Sequence, residues 1–191
     1  DITSIEALRG HPNLGDLHIW GQAPALEMDV LQSLGSKLVS LAISSDSVDN
    51  FNTLGQLNSL QRMWLNQDIT SAEMAELLSL TNLNFVSLGW GNLLESDLEA
   101  FIAVNTKLDS AELSRFSLND LQAFKNLNSF NHLVLSDMII QDLSEIQALR
   151  DLGITVIENI NNSPLSTSDL IGSHTLYDIE LESGTTGNVP V

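Results

Sequence analysis

One apolar signature recurs along the chain. Reading six residues from Leu60, "LQRMWL" places apolar side chains at the first, fourth and sixth positions. The same frame fits "LGDLHI" from Leu14, "LVSLAI" from Leu38, "LNFVSL" from Leu83 and "LDSAEL" from Leu108. It fits again at "FNHLVL" from Phe130, "LGITVI" from Leu152 and "LYDIEL" from Leu176, so the starts lie 24, 22, 23, 25, 22, 22 and 24 residues apart. Alternating inward and outward positions at the end of each unit predict a strand. Between the strands the period lengthens. "SAEMAELLSL", "ESDLEAFIAV", "NDLQAFKNL" and "QDLSEIQAL" bring apolar residues three or four apart, which predicts short helices. Ser71, Ser96, Asn119 and Asp142 stand near the helix starts as candidate N-caps, and carboxylates in a first turn also favour the helix dipole.

A strand followed by a helix, repeated every 22–25 residues, resembles the leucine-rich repeat superfamily over essentially the whole chain. The resemblance implies an α/β solenoid of about eight repeats, with a curved parallel sheet on the concave face and short helices on the convex face. Within the superfamily, "LVLSDMIIQDLSEIQALRDL" (Leu133 to Leu152) is similar to the bacterial surface type, the internalin-like group. The asparagine usual three places after the last strand leucine is absent. Gln22, Asp46, Asp68, Gly91, Phe116, Met138, Ile160 and Gly184 stand there instead.

The solenoid is expected to occupy residues 1–183, with "TSIEALRG" (Thr3 to Gly10) forming a helical piece of an N-terminal cap within 1–13. Residues 184–191 read as a tail or linker. No capping helix follows Leu181, and the last strand instead carries Asp178, Glu180 and Glu182 on one face. Charge there would defend an edge strand against pairing; a calcium ion or a basic partner is the other reading. In the seventh repeat Thr155 falls at a core position while Ile154 and Val156 fall outward. Either that surface is apolar or the register slips by one residue.

With this frame, Trp64 occupies an outward position between Met63 and Leu65, and Trp20, which follows Ile19 in the first repeat, shares that outward face. Trp90 lies just past the fourth strand. His18, Arg62 and Phe85 share that lattice, and later repeats contribute Ser110, Glu112, Ser114, His132, Ser136 and Glu158. Strands about 4.8 Å apart would let Trp64 touch Phe85 and set Trp20 about 10 Å from Trp64. Aromatic rings beside an arginine and a histidine have the chemistry of a binding hot spot. The same rings could instead simply pack on one another and cover the sheet.

Composition narrows the partner. The chain has 191 residues, 43% of them hydrophobic, enough for a sizeable core. A formal charge of −18, from 25 acidic residues against 7 basic ones, argues against nucleic acid or an anionic membrane and leaves a basic partner open. Solubility alone would also account for it. No apolar run approaches the length of a membrane span, so no membrane insertion of this segment is expected. The chain begins at Asp1 and ends in the polar stretch "ESGTTGNVPV", so it is expected to be a processed or excised part of something longer. The compartment stays open, with the extracellular space or a cell surface favoured.

Catalytic chemistry finds little support. There is no cysteine, and His11, His18, His132 and His174 form no helical metal motif, so neither a metal site nor a cofactor is expected. His18 and His132 should lie five strands, or about 24 Å, apart. Nucleophile-elbow, Walker and dinucleotide glycine motifs are absent. Ser136, His132 and Asp137 are the one Ser/His/Asp group close in sequence, and they share a strand or its end, poor geometry for a triad. The sequon Asn161-Asn162-Ser163 precedes Pro164 and would matter only in a glycosylating compartment. The expectation is a non-catalytic recognition module that holds a protein or peptide on its concave face through His18, Trp20, Arg62, Trp64, Phe85 and Trp90. A carbohydrate-binding module using its tryptophans, or a structural spacer within a larger surface protein, is the alternative.

Overall fold

The computed structural model describes residues 4–20, 28–44, 51–91 and 93–159. In each of the first six repeats the three frame positions turn to one side of a strand. Those of repeats two to six are buried, for example Leu38, Leu41 and Ile43, then Leu60, Met63 and Leu65. In the first repeat Leu14 and Leu17 are half-buried, with Ile19 buried. The resulting strands are β1 (Asp16–Trp20), β2 (Ser40–Ser44), β3 (Arg62–Ile69), β4 (Phe85–Gly91), β5 (Ser110–Ser114), β7 (His132–Ser136) and β9 (Thr155–Asn159). They form one seven-stranded parallel sheet in the order β1-β2-β3-β4-β5-β7-β9. One stacked leucine core runs behind it.

A repeated backbone contact sets the register. Gly15 O accepts from Val39 N at 2.7 Å and from Ser40 N at 3.0 Å. Val39 O does the same for Gln61 and Arg62, Gln61 O for Asn84 and Phe85, Asn84 O for Asp109 and Ser110, and Asp109 O for Asn131 and His132. Each repeat thus starts its strand in step with the one before.

The other side of the core is closed by α1 (Met28–Leu34), α2 (Phe51–Gly55), α3 (Ser71–Leu77), α4 (Glu95–Val104), α5 (Gln122–Lys125) and α6 (Ser144–Asp151), each packed against the next. Gly55 shows how tight that stacking is. A Cβ there would lie 2.2 Å from the Glu76 carbonyl oxygen. A single turn of 3-10 helix, Glu6–Leu8, precedes β1, and Ile5 beside it is buried in the core.

The helix starts differ from the sequence reading by a residue or two. Thr70, and not Ser71, caps α3: its Oγ1 accepts from Glu73 N, and the Glu73 carboxylate accepts in return from Thr70 N at 2.7 Å. Ser96 lies inside α4, where Asp97 receives the Leu94 N–H at 3.1 Å. Asp142 does serve a helix start, accepting the Ser144 N–H at 2.9 Å from one residue before the cap. Asn119 donates instead of accepting. Its backbone and side-chain N–H groups, with the Asp120 N–H, converge on the Glu95 carboxylate of the preceding repeat.

The seventh repeat resolves to a register slip. Leu133 pairs with Val156 and Leu135 with Glu158, so "LGITVI" from Leu152 is out of frame by one residue. Ile154 and Val156 are buried, whereas Leu152 is 61% exposed. The extra residue is taken up at Gly153, whose φ of +85° ends α6 in a conformation that glycine adopts without strain. Glu158 therefore does not belong to the outward lattice. It takes the last leucine position and pairs with Arg150, whose guanidinium also donates to Val156 O.

Two missing asparagines are replaced by apolar stacking. Phe116 and Met138 are buried one above the other, and Phe116 N donates to Met138 Sδ at 3.4 Å. Just before them, Arg115 and Asp137 adopt φ of 63° and 52°. This turn leads into a second small parallel pair, β6 (Ser117–Leu118) and β8 (Ile139–Ile140). Leu176–Leu181, the acidic triplet Asp178, Glu180 and Glu182, the sequon, His174 and the 184–191 tail lie outside the described residues, as do Gln22, Asp46, Ile160 and Gly184.

The Glu95 carboxylate, which joins one repeat to the next, ties stability to pH. Burial of Glu95 opposes ionisation, but the N–H groups of Asp120 and Asn119 outweigh it and hold this carboxyl below its ordinary range. A depressed folded-state pKa gives stability that is present above the unfolded value and lost as pH falls through the folded one. Glu95→Gln should therefore cost stability at pH 7, with the gap to wild type closing as pH drops from about 5 toward 3. Urea midpoints of the two proteins across that range check it. A gap that stays constant would show that ionisation of Glu95 contributes nothing.

Candidate functional site

The helices cover one face of the sheet, and on the other the register aligns outward residues into three rows. The first row runs Asp16, Ser40, Arg62, Phe85, Ser110, His132 and Thr155. The middle row runs His18, Ala42, Trp64, Ser87, Glu112, Val134 and Ile157. The third contains Ser44, Asn66, Gly89, Ser114 and Ser136. Period two gives this pattern directly, because residues two apart on a strand share a face.

At its N-terminal half this face carries the expected aromatics. Trp64 meets Phe85 on the diagonal, with ring centroids 4.5 Å apart and planes tilted by 37°. On its other side Trp64 reaches across Ala42 to His18, centroid to centroid 6.1 Å. The small Ala42 side chain is what lets the two rings approach over the intervening strand, and it is buried as a result. Arg62 spans β2 in the same way, reaching over Ser40 to Asp16 at 3.1 Å. That pair is largely exposed and is worth little to stability. It carries the guanidinium across β2 to the β1 side of the face.

The structure thus brings four of the six candidate residues together: His18, Arg62, Trp64 and Phe85. Trp64 and Phe85 are half-buried, whereas His18 and Arg62 are exposed. Of Trp20 and Trp90 it describes the strand positions alone: Trp20 is the last residue of β1, and Trp90, expected just past the fourth strand, lies inside it as the last but one residue of β4, which runs on to Gly91. Sequence reading missed Asn66 and Gly89. A Cβ at Gly89 would come 2.7 Å from Asn66 Oδ1 and 3.2 Å from Ser114 Oγ, so the glycine makes room for the asparagine on this face. A glycine inside a strand pattern is the signal that pointed there.

The Ser/His/Asp group is not a catalytic arrangement. His132 and Ser136 sit at opposite ends of β7, about 13 Å apart along the strand, and Asp137 turns to Arg115, 3.9 Å away. His18 and His132 stand five strands apart in the sheet order. Among the described residues no group of three or more His, Asp or Glu side chains is placed to hold a metal ion. Nor is any described helix long and apolar enough to cross a membrane.

No family model matches the chain, and no curated protein matches it. Solved structures do. An internalin (inlF) from Listeria monocytogenes str. 4b F2365 superposes with a TM-score of 0.62 at 20% sequence identity, over 84% of this chain and 45% of that one. An internalin C2 (inlC2) from the same strain gives a TM-score of 0.57 at 21% identity, over 82% of this chain and 76% of that one. At these identities the likeness establishes the fold, a leucine-rich-repeat solenoid of the internalin type. The chain spans less than half of the first of these structures.

Trp64 should report the openness of this face. In a Trp20→Phe/Trp90→Phe variant, where Trp64 is the remaining tryptophan, acrylamide is expected to quench the emission readily, and adding Phe85→Ala should increase the quenching. A neutral quencher is needed because a chain of −18 would repel iodide. Emission that resists acrylamide would mean that the aromatic cluster is shut off from any ligand.

Proposed function

We propose that this chain is a non-catalytic recognition module that binds a protein or peptide on the open face of its sheet. The observation that carries the reading is the aromatic cluster of Trp64, Phe85 and His18, on the face the helices leave uncovered. Rings in mutual contact are already ordered, so a partner gains their apolar area at little rotamer cost. Arg62 and His18 supply polar groups at the rim of the cluster. The internalin-type fold argues for a protein partner as well, by analogy of fold.

Carbohydrate is the second reading. It draws on the half-exposed Trp64 ring beside a row of hydroxyl and amide side chains, Ser44, Asn66, Ser114 and Ser136. A spacer role within a longer surface protein would need no ligand at all.

A panel of purified proteins and an array of glycans, each probed with wild type and Trp64→Ala, separates the three. Recognition of a protein predicts at least one protein hit that Trp64→Ala weakens roughly thirtyfold or more, with the melting cooperativity of the variant unchanged. Glycan hits lost with the same substitution would move the assignment to sugars. Hits indifferent to Trp64→Ala, or none on either panel, would count against the open face as a binding surface and leave the spacer.

A further inference from the structure

Farther along the middle row the chemistry changes. Beyond Trp64 the row passes Ser87 to Glu112, then reaches Val134 and Ile157. Strand spacing puts Trp64 about 10 Å to one side of Glu112 and Ile157 about 10 Å to the other. Ile157 is 42% exposed, an apolar side chain that the slipped register turns onto the open face in place of Glu158. Val134 beside it is half-buried. The face therefore carries two apolar zones with a single carboxylate between them.

Glu112 stands between Ser87 on β4 and Val134 on β7. Ser87, Ser110 and Ser114 surround it on its own and the preceding strand, and none of the three carries a charge. It is half-buried, and among the described residues its carboxylate takes part in no ion pair and accepts no hydrogen bond. A partner broad enough to cover both apolar zones must lie over this carboxylate and strip its water. That desolvation is costly unless the partner supplies a cation at the same place.

We propose that Glu112 selects the partner: a peptide segment with a Lys or Arg side chain between two apolar side chains, one resting on Trp64 and Phe85, the other on Val134 and Ile157. This inference rests on the recognition reading of the open face. The overall charge of −18 attracts basic segments at long range, but a fixed carboxylate in the middle of the row is what gives the cation a defined position.

Random peptides displayed on phage, selected at physiological salt on wild type, Glu112→Gln, Glu112→Lys and Trp64→Ala, test the proposal. Wild type should enrich sequences with one basic residue at a constant spacing between apolar or aromatic residues. Glu112→Gln should lose the basic preference at that position and bind a synthetic wild-type consensus peptide roughly fivefold more weakly, while keeping the flanking apolar preference. Glu112→Lys should favour an acidic residue there. Basic enrichment that persists in Glu112→Gln would overturn the proposal in favour of the general field, with the open face still standing as a binding surface. Selections on Trp64→Ala that match those on wild type, or no consensus on any of the four, would overturn the recognition reading together with it.

Discussion

A single carbonyl before each strand, shared by two N–H groups of the next repeat, is the contact on which the rest of the molecule depends. From Gly15 to Asp109 it recurs without exception and starts β2 to β5 and β7 in phase with their neighbours, while at β9 Asn131 O accepts from Thr155 N alone. The leucine stack supplies the driving force, since no repeat can bury its apolar side alone. Phase decides which side chains that force takes inward. A shift of one residue would turn the leucines out and the aromatics in, so the existence of rows on the open face follows from this backbone contact. At Gly153, where the true frame departs by one residue from the apolar pattern, the phase of the sheet is kept: Ile157 turns outward and Glu158 inward.

Most of the architecture was legible in the sequence because one signal was written many times. The six-residue frame located the core of six strands, including Ala111, a small residue that would pass unnoticed in a single repeat. It misplaced the seventh because it scored apolar character alone. Leu152 and Ile157 satisfied the pattern, whereas the actual frame asks an acidic residue to stand at a leucine position. Arg150 on α6 is what makes Glu158 tolerable there, and no periodicity announces such a pair. The helix caps were misread for a related reason: a serine or asparagine near a helix start has several ways to satisfy a backbone group. Thr70 won over Ser71 because Glu73 completes a reciprocal pair with it.

The candidate site was legible as a set of outward positions, and the contact between Trp64 and Phe85 followed from strand spacing. What the spacing could not give was the reach of Trp64 and Arg62 across β2. That depends on Ala42 and Ser40 being small, a property of the neighbours and not of the residues that make the contact. The acidic excess likewise has more than one use. Glu73 and Asp142 serve helix starts, Glu95 joins two repeats, and Glu145 accepts from Leu121 N while pairing with Lys125. Glu112 differs from these in having no such partner among the described residues.

Because the native chain has no cysteine, single cysteine substitutions read its register directly. Thiol labelling rates of variants at successive positions of β5 and β9 test the central claim that one phase runs through all seven strands. Cysteines at Ser110, Glu112 and Ser114, and at Thr155 and Ile157, should label quickly, while those at Ala111, Leu113 and Val156 should label only on unfolding. Rapid labelling at Val156 with protection at Thr155 and Ile157 would put the seventh strand out of phase and remove the second apolar zone from the open face.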